Sequence, residues 1–307
     1  MEINENKNYS KKGKKFRIKK SIGGWVFDIF NTLFMVIFCI SILFPLWDMI
    51  VVSFSRVQDV SSLRMNLWPN VIVFDSYKYC FRNSEFLHAL FISVSRTVIG
   101  TLYHVIVVTL AAYSLTRTKM PFRKVITVIF VITMFFSGGL IPSYINIRNL
   151  KLINNFLVYI IPPAFSMFVV IIVRNFFMSV DTALEESAEI DGASPFRILF
   201  SIILPLSMPV LATISLWKMV GQWNSWFDNL IYCSSNDLLT LQLMLRRIIV
   251  SPLETEITIT SNQMGNLLNS ETIKAATTVL VTTPIICVYP FLQKYFVKGI
   301  MIGAVKG

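Results

Sequence analysis

The sequence predicts an all-α fold, a polytopic membrane helix bundle with six transmembrane helices. Three observations lead there. Of the 307 residues, 54% are apolar and 15% charged, whereas a soluble domain carries roughly a quarter charged residues. Six apolar runs are each long enough to cross a bilayer, which takes about 20 residues at about 1.5 Å of rise per residue. Between the fourth and fifth runs lies an acidic segment with helix-capping signals, which reads as structure and not as a simple connection. This composition excludes a disordered chain, a disulfide scaffold and an ordinary soluble enzyme.

Residues 1–24 form a basic tail carrying Lys7, Lys11, Lys12, Lys14, Lys15, Arg17, Lys19 and Lys20. The first span, 25–54, is longer than the apolar core of a signal peptide and reads as an uncleaved helix. The second span is 88–115. The third is 125–145, with Ser137, Gly138, Gly139 and Pro142 expected to break its far end. The fourth, 156–177, is interrupted by Pro162 and Pro163. The fifth, 204–230, contains Pro205 and Pro209, and the sixth, 273–296, contains Pro284 and Pro290. Membrane bundles tolerate such prolines where neighbours satisfy the freed carbonyls.

The net charge of +11 reads as topology. Besides the basic tail, the 116–124 loop carries Arg117, Lys119, Arg123 and Lys124, and the 297–307 tail region adds Lys298 and Lys306, with Lys294 just before it. The alternate loops are poorer for their length, with Arg56, Arg64, Lys78 and Arg82, then Arg148 and Lys151, then Arg246 and Arg247. The bias places both termini in the cytoplasm of a multi-pass protein of the bacterial plasma membrane. A basic tail beside a span faces anionic lipid, so no nucleic-acid partner is expected. The cysteines, Cys39, Cys80, Cys233 and Cys287, are far apart and read as small hydrophobes. With two histidines in the chain, no metal site is expected.

The segment 179–204 lies on the cytoplasmic side by this count. Thr182 followed by Glu185 reads as a capping box, Ala183 to Ile190 as a short helix, and Gly192 as the left-handed residue beyond its end. Ser194 and Pro195 read as the cap and first residue of a second short helix, closed by Pro205. Small residues at Ser187 and Ala188 suit docking. A solvated acidic face is an equally open reading of these residues alone.

Glu186-Ser187-Ala188, then Gly192, then Ile202, Leu204 and Pro205 match the pattern E-A-A-x3-G-x9-I-x-L-P. The segment thereby resembles the EAA loop of ABC-importer permeases, with serine in place of the first alanine. Asp191-Gly192-Ala193, the Pro205 to Pro209 stretch, Trp223-Asn224 and the ending from Tyr295 to Gly307 resemble the carbohydrate-uptake branch. Phe136 to Pro142 and Trp223 to Asp228 resemble its complex-oligosaccharide subgroup, similar to maltose permeases. The resemblance implies a type I importer permease fold and half of a translocation path for an oligosaccharide. It implies a second permease subunit, two ATPase subunits and an extracytoplasmic sugar-binding protein as partners. It also places the ATPase-docking contact at Glu185, Glu186, Ser187, Ala188, Asp191, Gly192, Ala193 and Pro205.

No G-x-x-x-x-G-K-[ST] loop occurs in this chain, so ATP and Mg are expected on the partner ATPase, with no cofactor and no enzyme activity here. Gln222, Trp223, Asn224, Trp226 and Asp228 are candidate sugar contacts, because an indole covers the apolar face of a sugar and Asn or Asp binds its hydroxyls. The tryptophans equally suit an interfacial aromatic belt. Arg96 and Lys218 are intramembrane charges with no partner assignable from sequence. The competing readings are an ion-coupled secondary transporter, which would show an acid or His relay or internal repeat, and an ABC permease for a non-sugar solute.

Overall fold

The computed structural model describes residues 22–60, 67–118, 120–250 and 270–304. Of the expected basic tail 1–24, residues 1–21 lie outside the described residues, as do 305–307, and α1 already begins at Ile22. The described part is helical. Its longer elements are α1 (Ile22–Ser53), α2 (Asp75–Arg82), α3 (Ser84–Thr116), α4 (Arg123–Phe135), α5 (Leu140–Asn149), α6 (Met167–Phe177) and α7 (Thr182–Ile190). Then come α8 (Pro195–Leu206), α9 (Met208–Asn224), α10 (Phe227–Tyr232), α11 (Leu241–Val250) and α12 (Ser270–Ala304). Chain contacts divide between Asp48 and Met49, so residues 22–48 of α1 form one unit and the rest another.

Among the described residues, three helices are long and apolar enough to span by themselves: α1, α3 and residues Glu271–Val288 of α12. Two further helix pairs are long and apolar enough when each is counted together. Residues Phe156–Ala164 meet α6 at 53°, and α8 meets α9 at 82°. The expected third span is divided. α4 ends at Phe135, and Gly139 (φ +84°) redirects the chain into α5. At 13 residues, α4 is about 20 Å long and falls short of the ~30 Å hydrocarbon layer. The expected fifth span differs more. Pro205 lies inside α8, whose middle, Leu199–Ile203, is wound as a π-helix. The turn into the span occurs at Ser207, and the span itself stops at Asn224.

α3 is the axis of the second unit. It packs along α9 and α6, and its cytoplasm-assigned half shares one apolar cluster with them, built from Val108, Ala112, Val170, Val173, Ile203 and Ile214. A second cluster joins Phe86 and Ala89 of α3 to Trp223, Leu241 and Val281. Close approach of α3 and α9 depends on Gly100: a Cβ there would sit 2.6 Å from Nε2 of Gln222. All four cysteines are free, with Cys80 and Cys233 buried and Cys39 and Cys287 exposed.

The bend before α6 leaves backbone carbonyls without helical donors. Three are met by side chains from the neighbouring spans. Gln222 Nε2 donates to the Tyr159 carbonyl (2.8 Å), Lys218 Nζ to Pro163 (2.5 Å) and His104 Nδ1 to Ala164 (2.6 Å). An unmet carbonyl in an apolar layer costs several kcal/mol, so these donors make the broken helix tenable.

Gly100→Val is expected to push Gln222 off the Tyr159 carbonyl and separate α3 from α9. The loss should be roughly 1–3 kcal/mol, from overpacking and one broken hydrogen bond. Thermal unfolding of the purified protein in detergent reads it, and an unchanged midpoint would contradict this packing.

Candidate functional site

Two regions carry the residues singled out from sequence, one beyond the C-terminal end of α3 and the other around Arg96 in its first half. The first is the acidic segment. α7 begins at Asp181, whose carboxylate accepts the Ala183 N–H at 3.0 Å. The expected capping box between Thr182 and Glu185 does not form. The negative Asp181 side chain already serves the helix N-terminus, and Glu185 turns instead to Arg117.

The end of α7 follows the expectation. Gly192 has φ +78°, and the N–H groups of Gly192 and Ala193 return to the carbonyls of Glu189 (3.0 Å) and Ala188 (2.9 Å). This is a Schellman closure, which requires the left-handed residue that glycine supplies without strain. Ser194 then caps α8, its Oγ accepting from Arg197 N–H, with Pro195 at the first turn. The segment is thus a rigid helix-turn-helix.

α7 has two chemically distinct faces. Glu185, Ala188 and Glu189 turn toward the bundle, with Ala188 and Ala193 resting on the edge of the apolar cluster. Glu186, Ser187 and Ile190 are exposed, as are Asp191 and Leu184. Ile190 is 87% exposed and Phe196 at the start of α8 is 67% exposed. Such apolar side chains beside an acid, on a polar helix and at the start of the one that follows it, form a surface suited to a protein partner.

The second region surrounds the break at Ser225 and Trp226, between α9 and α10. Arg96, in mid-α3, is only 1% exposed. Its guanidinium grips both oxygens of Asp228 (2.5 and 3.3 Å), the Gln222 Oε1 atom (2.9 and 3.2 Å) and the Ser225 carbonyl (3.3 Å). It also lies 4.2 Å over the Tyr159 ring. Asp228 accepts from Ser225 Oγ and from the Asn229 N–H as well. Asn229 continues the network. Its Nδ2 donates to the Tyr159 hydroxyl (2.7 Å), and its Oδ1 accepts from Thr240 N–H (2.9 Å).

The candidate sugar contacts separate into two groups. Gln222 is engaged by Arg96 and the Tyr159 carbonyl, and Asp228 by Arg96, Ser225 Oγ and the Asn229 N–H. Trp223 is buried and donates from Nε1 to the Val281 carbonyl (2.9 Å). Asn224 is exposed and accepts from Gln242 Nε2 (3.2 Å). Trp226 is half-buried, with the Arg246 guanidinium 3.6 Å over its ring. Arg246 and Arg247, placed in a loop by the sequence reading, lie on α11. Tyr159 and Asn229 were not singled out from sequence. The available signal was an unpartnered Arg96 in one span and an acid, Asp228, at the end of another.

Arg96→Leu leaves the Asp228 carboxylate without its cation and is expected to destabilise the protein by about 3–5 kcal/mol. Arg96→Leu combined with Asp228→Leu removes both charges and should cost less than Arg96→Leu alone. Detergent-based thermal unfolding of the three proteins tests this, and a double variant less stable than the single would contradict the pairing.

No protein-family model matches the sequence. The chain is 36% identical over 282 residues to the polygalacturonan/rhamnogalacturonan transport system permease protein YtcP of Bacillus subtilis (strain 168), covering 92% of this chain and 99% of that protein. It is 37% identical over 287 residues to the protein LplC of the same organism, covering 92% and 96%. Among solved structures it resembles the crystal structure of a bacterial ABC transporter involved in the import of the acidic polysaccharide alginate. The TM-score is 0.85 and the identity 30%, over 91% of this chain and 99% of that one. A bacterial alginate ABC transporter in complex with an alginate pentasaccharide-bound periplasmic protein shares the fold at a TM-score of 0.58 and 16% identity. The helix-turn-helix closed by Gly192, the broken spans around it and relatives this similar along nearly the whole length agree: the chain belongs to the sugar-transport branch of ABC-transporter permeases, membrane transport subunits and not enzymes.

Proposed function

We propose that this chain forms half of the translocation path of an ATP-driven importer for an oligosaccharide that carries carboxylate groups. A second permease completes the path. Two ATPase subunits, holding ATP and Mg, dock on the exposed face of α7, and an extracytoplasmic binding protein delivers the sugar at the opposite end of the bundle. Both termini then lie in the cytoplasm.

The observation that carries this reading is the geometry of α7. It is a capped helix outside the spans, with Leu184, Glu186, Ser187 and Ile190 presented outward and no apolar side chain buried. A rigid element with an uncovered apolar edge can transmit a push from a partner, which a solvated loop cannot. ATP can drive transport only if the two states of the transporter differ in their contact with the ATPase, and this face is where such a difference can arise.

The acidic nature of the sugar is supported by charge. Asp228 is neutralised by Arg96, but Arg246 and Arg247 form no ion pair among the described residues, and both are exposed. Arg246 lies beside Trp226, Asn224 and Gln242 at the end of α9 remote from α7. An aromatic ring, amides and a guanidinium without an ion pair together suit a sugar ring bearing a carboxylate. Two of the proteins this chain resembles are described as handling polygalacturonan or rhamnogalacturonan and the acidic polysaccharide alginate.

Purification of the tagged chain from native membranes should recover a second permease, an ATPase and a binding protein. The binding protein should prefer uronate oligosaccharides to neutral ones. A chain that purifies alone and transports in liposomes without ATP would replace this reading with an ion-coupled transporter.

Two substitutions sharpen the test. Glu186→Lys places the wrong charge on the exposed face and should abolish uptake while membrane insertion survives; normal uptake would overturn the docking role. Arg246→Gln should raise the apparent KM for an acidic oligosaccharide roughly fivefold, the worth of one exposed charge contact of about 1 kcal/mol. A neutral oligosaccharide should be unaffected. Equal change with both sugars would remove the charge argument.

A further inference from the structure

α7 is held to the bundle with little apolar packing. None of its residues is buried, and only Ala188 on the helix and Ala193 beyond it touch the apolar cluster. A cleft of 490 Å³ separates it from the ends of α3 and α6. What crosses this cleft is Arg117, the residue immediately after α3. Its Nη1 reaches Glu185 (2.7 Å) and Glu189 (3.3 Å), which lie one turn apart on the inward face of α7. The same guanidinium stacks 4.4 Å over the Tyr113 ring and hydrogen-bonds the Tyr113 hydroxyl. That hydroxyl in turn donates to the carbonyl of Pro195, the first residue of α8 (3.1 Å). Two residues one turn apart at the end of α3 therefore hold both limbs of the helix-turn-helix.

α3 is suited to carry what they receive. α1 and α12 contain prolines and the fourth and fifth spans are bent, whereas α3 runs 33 residues without a proline. Arg96 lies in the same helix, about 30 Å along it from Arg117. One unbroken helix thus joins the contact with α7 to the buried charge cluster at the break of Ser225 and Trp226.

We propose that Arg117 is the positioning residue that makes α7 and α3 move as one body, so that displacement of α7 reaches the Arg96–Asp228 cluster through α3. This rests on the transport reading above and adds the route within the chain. A backbone connection alone would leave α7 free to tilt across the cleft, and ATP would then be hydrolysed without moving the spans. Arg117 acts through Glu185 and Glu189.

The test uses the complete importer in liposomes with its binding protein and ligand, measuring ATP hydrolysis and sugar uptake on the same preparation. Arg117→Gln should assemble and hydrolyse ATP, but uptake per ATP should fall by about tenfold, a typical coupling magnitude. Arg117→Lys, which keeps the charge but not the fork, should recover part of the ratio. Arg117→Glu should lose the ratio, and adding Glu185→Arg should restore some of it. An unchanged ratio in Arg117→Gln overturns the proposal, and so does a charge swap that restores nothing. If Arg117→Gln does not assemble, Glu185→Gln with Glu189→Gln opens the same contact from the other side, and a normal ratio there overturns it equally. A native complex with neither ATP hydrolysis nor uptake would instead overturn the transport reading itself.

Discussion

A guanidinium buried within an apolar bundle has to be ion-paired and hydrogen-bonded nearly to completion, because its desolvation costs several kcal/mol even after relaxation. Arg96 meets that demand by drawing partners from three other parts of the chain. Ser225 and Asp228 come from the break after α9 and the start of α10, Gln222 from the last turn of α9, and the Tyr159 ring from the irregular stretch before α6. None of these can shift without leaving a donor or a charge unmet. The position of the break at Ser225 and Trp226, and with it the exposure of Asn224 and Trp226, follows from this one side chain.

The same economy explains how bent spans persist. The stretch 156–164 gives up helical hydrogen bonds, and Gln222, Lys218 and His104 replace three of them from two neighbouring helices. Irregular backbone becomes stable in a membrane only when protein covers it, so the bend and its donors have to be supplied together. Gln222 serves both purposes, accepting from Arg96 and donating to Tyr159. Gly100 is small because Gln222 must pass close to α3.

At the other end of α3 the chemistry is reversed. Here the charges are partly solvated, apolar burial is slight, and α7 is attached through Arg117. Weak attachment by packing with firm attachment at one charged point leaves the outer face of α7 uncovered for a partner. A tight apolar seat would have buried Leu184 or Ile190, which are instead exposed.

Local chemistry was legible in the sequence wherever a residue type permits few conformations. Gly192 beyond α7, Ser194 and Pro195 at the start of α8, and Ser137 to Gly139 at the end of α4 act through their own backbone and nearest neighbours, so their roles are written in the chain. The apolar runs likewise announce spans, because bilayer thickness sets one length for all of them. The cap of α7 lies one residue before the position the capping-box pattern predicts, since Asp181 and Thr182 are both competent caps and a distant cation, Arg117, decides what Glu185 does. Only tertiary structure could show that Gln222 and Asp228 face inward to Arg96 while Asn224 and Trp226 remain accessible, or that Tyr159 and Asn229 belong to the same network. A charge in an apolar run states that a partner must exist. Which residue answers it depends on how helices distant in sequence are packed, and that is settled by contacts the sequence order does not contain.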